Sequence, residues 1–171
     1  MSERAVRWLI AVGLALVLAA VNVSIWRNES LLAHGTLLSL ELAPVDPRSL
    51  MQGDYMALDW AVAHEARQRY GERLPRAGAI VVRREAGSTR ATLVRLDEGG
   101  PLAEGESRLA YTVRNGRMRI VTDAYYFQEG MAQAYVRARY GALRVDARGR
   151  AVLVGLQDAD LAWLGPSPAG K

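Results

Sequence analysis

Residues 8–26 read WLIAVGLALVLAAVNVSIW, 19 residues without a charge. At about 1.5 Å of rise per residue, a helix of this length nearly matches the roughly 30 Å hydrocarbon core of a bilayer. Trp8 and Trp26 stand at its two ends, where an amphipathic ring prefers the membrane interface. The run therefore predicts one transmembrane anchor. Arg4 and Arg7 precede it, and Arg27 follows close to Glu29, a bias that favours a cytoplasmic N-terminus. The rest of the chain is then expected on the far side, in the periplasm of a Gram-negative inner membrane. A cleaved signal peptide is the rival reading, with Val17-Leu18-Ala19 as a small-residue site. Against it, the apolar run continues past that site to Trp26 without a polar cleavage region.

No second run of this kind follows. The expected organisation is a cytoplasmic tip and anchor over 1–27, a polar connector over 28–35, one domain over 36–164 and a loose tail over 165–171. The chain has no cysteine, which excludes disulfides, thiolate metal sites and cysteine nucleophiles. Its net charge is only +4, and acids are interspersed among the arginines. That balance reads as a solvated surface, and no nucleic-acid signature is present.

The domain reads as mainly β, an α+β arrangement. Strands are expected over 36–42, 54–60, 79–84, 89–96, 108–114, 117–122, 142–146 and 151–156. Short helices are expected over 62–70 and 130–140. Asn115-Gly116 supplies the paired positive φ angles of a type I′ turn, and Arg148-Gly149 marks a second hairpin. Consecutive hairpins imply an antiparallel sheet or barrel-like domain carrying about two short helices.

The most distinctive stretch is residues 44–60, PVDPRSLMQGDYMALDW. Asp46-Pro47 starts a turn, Arg48 and Asp54 can pair across it, and Gly53 permits a backbone conformation closed to other residues. On a strand, Tyr55 and Leu58 face opposite sides, while Leu58 and Trp60 share one. The block Gly53-Asp54-Tyr55-Met56-Ala57-Leu58-Asp59-Trp60 resembles the naming motif of the GDYXXLXY proteins, bacterial membrane-anchored proteins without an assigned activity. Trp60 stands where that family has tyrosine. The resemblance extends to Pro44-Val45-Asp46-Pro47-Arg48, to Tyr125-Tyr126-Phe127-Gln128-Glu129-Gly130 and to Ala138-Arg139-Tyr140-Gly141. It implies a membrane anchor and an intact outer domain, with no chemistry attached.

Leu50-Met51-Gln52-Gly53-Asp54 also has the L-x-x-G-D pattern of signal peptidase-like serine proteases. Their serine–lysine dyad needs a lysine desolvated in the core, and the only lysine here is Lys171, in the tail. His34 and His64 are the only histidines, too few for a zinc site without cysteine. No metal and no cofactor is expected. Paired carboxylates such as Asp54 and Glu129 suit glycan or peptide hydrolysis only if they meet in one cleft. On a strand, Tyr125 and Phe127 share one side and Tyr126 takes the other; one side is expected in the core, and the other can join Tyr55 or Tyr140 in a shallow recognition surface. Arg139 is placed to pair with Glu129 or Asp123.

The leading expectation is a binding or accessory module of a membrane-protein assembly, with another membrane protein as partner. Its recognition set is Asp46, Arg48, Gly53, Asp54, Tyr55, Leu58, Trp60, Tyr126, Phe127, Glu129, Arg139, Tyr140 and Gly141. The runner-up is an envelope glycan- or peptide-acting hydrolase.

Overall fold

The computed structural model describes residues 3–43, 51–52 and 55–165. Helix α1 spans Glu3–His34. Among the described residues it is the one helix long and apolar enough to cross a membrane, and none of its apolar stretch is buried by the protein. The segment 28–35, expected as a connector, is helical through His34. Leu31, near its end, is buried, and the Gly35 amide closes onto the Leu31 carbonyl at 2.9 Å. Arg144 donates from Nη1 to the Gly35 carbonyl at 2.8 Å, which fixes where the helix leaves the domain.

The described residues beyond α1 form eleven strands in three antiparallel sheets. The strands are β1 (Thr36–Glu41), β2 (Met51–Gln52), β3 (Tyr55–Ala57), β4 (Ala77–Arg84), β5 (Ala91–Leu96), β6 (Glu106–Arg114), β7 (Arg117–Arg119), β8 (Ala124–Tyr126), β9 (Tyr140–Val145), β10 (Ala151–Gln157) and β11 (Trp163–Leu164). One sheet has the order β1-β9-β10-β11, a second β5-β4-β6-β7, and a small third β2-β3-β8. Helix α2 covers Ala61–Tyr70, and α3 is a single turn, Ala132–Tyr135.

The two larger sheets share one core. Leu38 and Leu40 of β1, Ile80 and Val82 of β4, Leu109 of β6 and Leu143 of β9 are fully buried in it. A parallel bridge from Ser39 to Arg90 joins the sheets at one place. The β9–β10 turn joins them at another, where the Ala110 amide donates to the Gly149 carbonyl at 2.8 Å. Gly149 has φ 85° and its backbone lies against Arg108 and Ala110, so a side chain there is excluded twice over. Ser39 accounts for a buried polar contact between β1 and β10. Its hydroxyl donates to Gln157 Oε1 at 2.7 Å and lies 2.8 Å from Thr89 Oγ1. Gln157 Nε2 donates onward to the Leu161 carbonyl, so neither end of the buried amide is left orphaned.

The mainly β fold, the apolar N-terminal helix and the short helices agree with the sequence expectation. Asn115 and Gly116 take φ 50° and 72°, the pair a type I′ hairpin needs. Helix α2 ends at Gly71, whose φ of 53° admits the cap and whose amide returns to the Arg67 carbonyl. Three expected elements are shorter by three residues or more. The strand expected over 117–122 stops at Arg119, because Val121 turns to φ 56° and Thr122 bonds locally to Ala124. The strand expected over 54–60 is paired only over Tyr55–Ala57 among the described residues, with Trp60 forming an isolated bridge to Leu42. The helix expected over 130–140 is cut to one turn. Downstream, the Arg139 backbone is drawn into the sheet by Gln157 and Leu42, at 2.8 and 2.9 Å.

Candidate functional site

The small sheet carries the motif. β3 and β8 run antiparallel with Tyr55 opposite Tyr126, Met56 opposite Tyr125 and Ala57 opposite Ala124. Directly paired residues share a face of the pleat, so this register sorts the side chains in two. Met56 lies inward with Tyr125, and Leu58 and Trp60 continue the inward set, all three motif residues at 4% exposure or less. Tyr55 and Tyr126 face outward. Their ring centroids are 5.7 Å apart at 39°, and Tyr126 is 75% exposed.

Beneath the outward pair lies a cluster of three rings. Tyr135 of α3 meets Tyr125 edge-on at 5.3 Å and stacks on Phe127 at 5.0 Å. Phe127 thus belongs to the support of the site, and Tyr126 to its surface. Burial, together with the Tyr135 hydroxyl, pushes the Tyr125 phenol up to about 12.

Trp60 is the deepest part of the motif. Its amide is bonded to Asp59 Oδ1 at 3.0 Å, and its indole Nε1 donates to the Thr122 carbonyl at 3.1 Å. The far edge of the ring lies on the Gly141 backbone. A Cβ on Gly141 would stand 2.5 Å from Trp60 Cη2, inside any real contact distance. Trp60 therefore supplies a polar atom for the Thr122 carbonyl at the position where the resemblance places a phenol. Gly141 is required by contact rather than by backbone freedom.

The other sequence-predicted residues are dispersed. Tyr140 carries the Arg90 guanidinium 5.2 Å from its ring centroid. Glu129 is exposed in the turn at Gly130, ahead of α3 rather than in its first turn. Asp123 pairs with Arg119, not with Arg139. Arg139 is exposed and forms no ion pair among the described residues. Asp46, Arg48, Gly53 and Asp54 lie outside the described residues. Among the described residues no three His, Asp or Glu side chains gather as a metal site.

A family model described as GDYXXLXY protein matches residues 17–156, from within α1 to within β10. The chain belongs to the GDYXXLXY family. No curated protein and no solved structure matches it. In this GDYXXLXY protein the inward half of the motif is core, and the outward half is half-buried, with Tyr55 lying against the exposed Tyr126 of β8.

One pair at the end of the motif, joining it to α2, was not read from sequence. His64 Nε2 lies 2.8 Å from Asp59 Oδ2, on the first turn of α2. Arg67 and Arg117 line the same small cleft of about 130 Å³. His64 is 60% exposed, and among the described residues no hydroxyl is bonded to it. An acid just ahead of a helix start with a histidine five residues on was the only sequence signal.

Two outcomes follow from this geometry. Gly141→Ala is expected to cost about 1–3 kcal/mol of unfolding free energy through overpacking. Trp60→Phe should cost about 1–3 kcal/mol from the Thr122 carbonyl alone. In urea unfolding the double variant should lose less than the sum, because the smaller ring makes room for the new methyl. Strict additivity would show that the ring and the glycine do not meet. The second outcome concerns alkaline pH. From the ordinary phenol value of 10 to about 12, the unfolded chain releases the Tyr125 proton and the folded chain keeps it. Stability should therefore fall as pH rises through that window. Tyr125→Phe should flatten the fall in urea midpoints, leaving the smaller part due to Tyr111, which burial also raises.

Proposed function

We propose that this protein is a single-pass membrane protein whose β-rich domain is a binding or accessory module for another membrane protein. The observation that carries the reading is the outward aromatic pair. Tyr126 is three-quarters exposed and rests against Tyr55 on a rigid, paired strand. A large ring held in place from below adds contact area at small entropic cost, the property that makes tyrosine a frequent anchor at interfaces. β8 is also the outer strand of its small sheet, so a partner can approach the ring from the side.

The exposed apolar face of α1 supports the anchor, since an isolated helix with such a surface is stable in lipid rather than in water. The arginines ahead of the run favour a cytoplasmic N-terminus and a periplasmic domain. No specific observation favours hydrolysis by paired carboxylates: Glu129 lies in an exposed turn, and Asp54 lies outside the described residues.

The test is photo-crosslinking in intact cells from a probe placed at Tyr126, followed by mass spectrometry. One dominant membrane protein is expected, and Tyr126→Ala should abolish its co-purification. The same substitution should change unfolding free energy by no more than about 0.5 kcal/mol, as for other surface positions. Capture of glycan or peptide in place of a protein would overturn the reading, and so would unchanged co-purification by Tyr126→Ala.

A further inference from the structure

A cleft of about 810 Å³ lies where α1 meets the domain. One wall is the end of α1, including Trp26, Arg27, Ser30 and His34. The opposite wall is the β9–β10 turn with Arg148 and Arg150, and Arg108 of β6 reaches it from the side. Arg27, Ser30 and His34 recur at helical spacing, so they form one stripe facing the cleft. They lie one, four and eight residues beyond Trp26, the last residue of the uncharged run. At about 1.5 Å per residue that is roughly 1.5, 6 and 12 Å along the axis, through the headgroup layer outside the hydrocarbon core.

The charges in the cleft do not cancel. Asp146 and Glu106 line it, but both are engaged within the domain. Asp146 accepts from Arg150 Nε at 2.8 Å and from the Arg148 and Arg150 amides. Burial opposes its ionisation, yet those hydrogen bonds outweigh it and hold its carboxyl below the usual range. Glu106 receives Arg83, Arg95 and the Ala103 amide. Arg108 is committed to Asp97 and to the Gly100 carbonyl. Among the described residues, Arg27 and Arg148 form no ion pair. Two arginines without a carboxylate partner thus line a cleft that the anchor reading puts at headgroup height, flanked by His34.

We propose that this cleft binds the phosphate of an anionic membrane phospholipid. The two free guanidinium groups supply paired donors to the phosphate oxygens. Trp26 marks the level at which the glycerol backbone gives way to the acyl chains. Such a lipid would fasten the β9–β10 turn to the end of α1 and hold the domain against the bilayer. The inference rests on the anchor reading above.

The test uses the full chain in nanodiscs of phosphatidylcholine, with and without an equal share of phosphatidylglycerol, and native mass spectrometry of the lipid retained after ejection. Phosphatidylglycerol should be retained in preference. Arg27→Gln with Arg148→Gln should reduce that preference by about tenfold or more, since each arginine near an anionic surface contributes severalfold. Arg73→Gln with Arg84→Gln, which removes the same charge from exposed positions outside the cleft, should leave it unchanged. Arg27→Gln alone should weaken it and does not touch the turn, so a misfolded hairpin would not decide the result. Equal loss in both double variants would overturn the site in favour of diffuse charge. Equal occupancy by glycerol 3-phosphate in phosphatidylcholine discs would overturn the lipid as the source of the phosphate. Incorporation without any lipid preference would overturn this inference and leave the anchor intact. Failure to incorporate in either lipid would overturn both.

Discussion

The Trp60 ring on the Gly141 backbone is the contact on which the domain depends. It ties the motif strand to β9, the central neighbour of β1 and β10. The same tryptophan reaches Thr122 through its indole nitrogen, bridges to Leu42 and stands at the start of α2. Three segments distant in sequence, at Leu42, Thr122 and Gly141, therefore converge on one residue. Its 2% exposure leaves no slack for a larger neighbour, because protein interiors are packed to crystal-like density.

From that contact the rest of the motif falls into place. With Met56, Leu58 and Trp60 directed inward, the period of two directs Tyr55 outward. β8 pairs in the register that puts Tyr126 beside it, and Tyr125 and Phe127 close onto Tyr135 below. The outward pair is supported from below by rings packed against the core. A motif that looks like one recognition element in sequence is thus a buried support carrying the half-buried Tyr55 ring, with the exposed Tyr126 ring beside it. At the opposite junction, the end of α1 is fixed by Leu31, Gly35 and Arg144, which sets the domain directly at the end of that helix.

Much of this was legible in the residues. Asn115-Gly116, Gly71 and Gly149 announce turns because those backbone angles exclude most side chains, and all three turns are present. The placement of Leu58 and Trp60 on one side and Tyr55 on the other was readable from the two-residue period of a strand. What escaped was set by contacts between distant segments. Val121 adopts a left-handed conformation that no β-branched residue advertises, so β7 ended early. The 130–140 helix lost its second half to backbone bonds from Gln157 and Leu42. Ser39 looked like an ordinary strand serine, yet its hydroxyl meets a glutamine 118 residues away. The recognition set was the least legible part. Leu58, Trp60 and Gly141 are core, and among the described residues only Tyr55 and Tyr126 come together at the surface.

The central claim is that the motif separates into a buried half that holds the fold and an exposed half that binds. The most direct measurement is a substitution scan of positions 55–60 and 124–127 in the full chain, reading abundance and partner capture from the same cells. The account predicts that Met56, Leu58 and Trp60 substitutions lower abundance and capture together. It predicts that Tyr126 substitutions, and polar ones at Tyr55, lower capture at full abundance. Loss of abundance at Tyr126, or loss of capture at full abundance from Trp60, would contradict it.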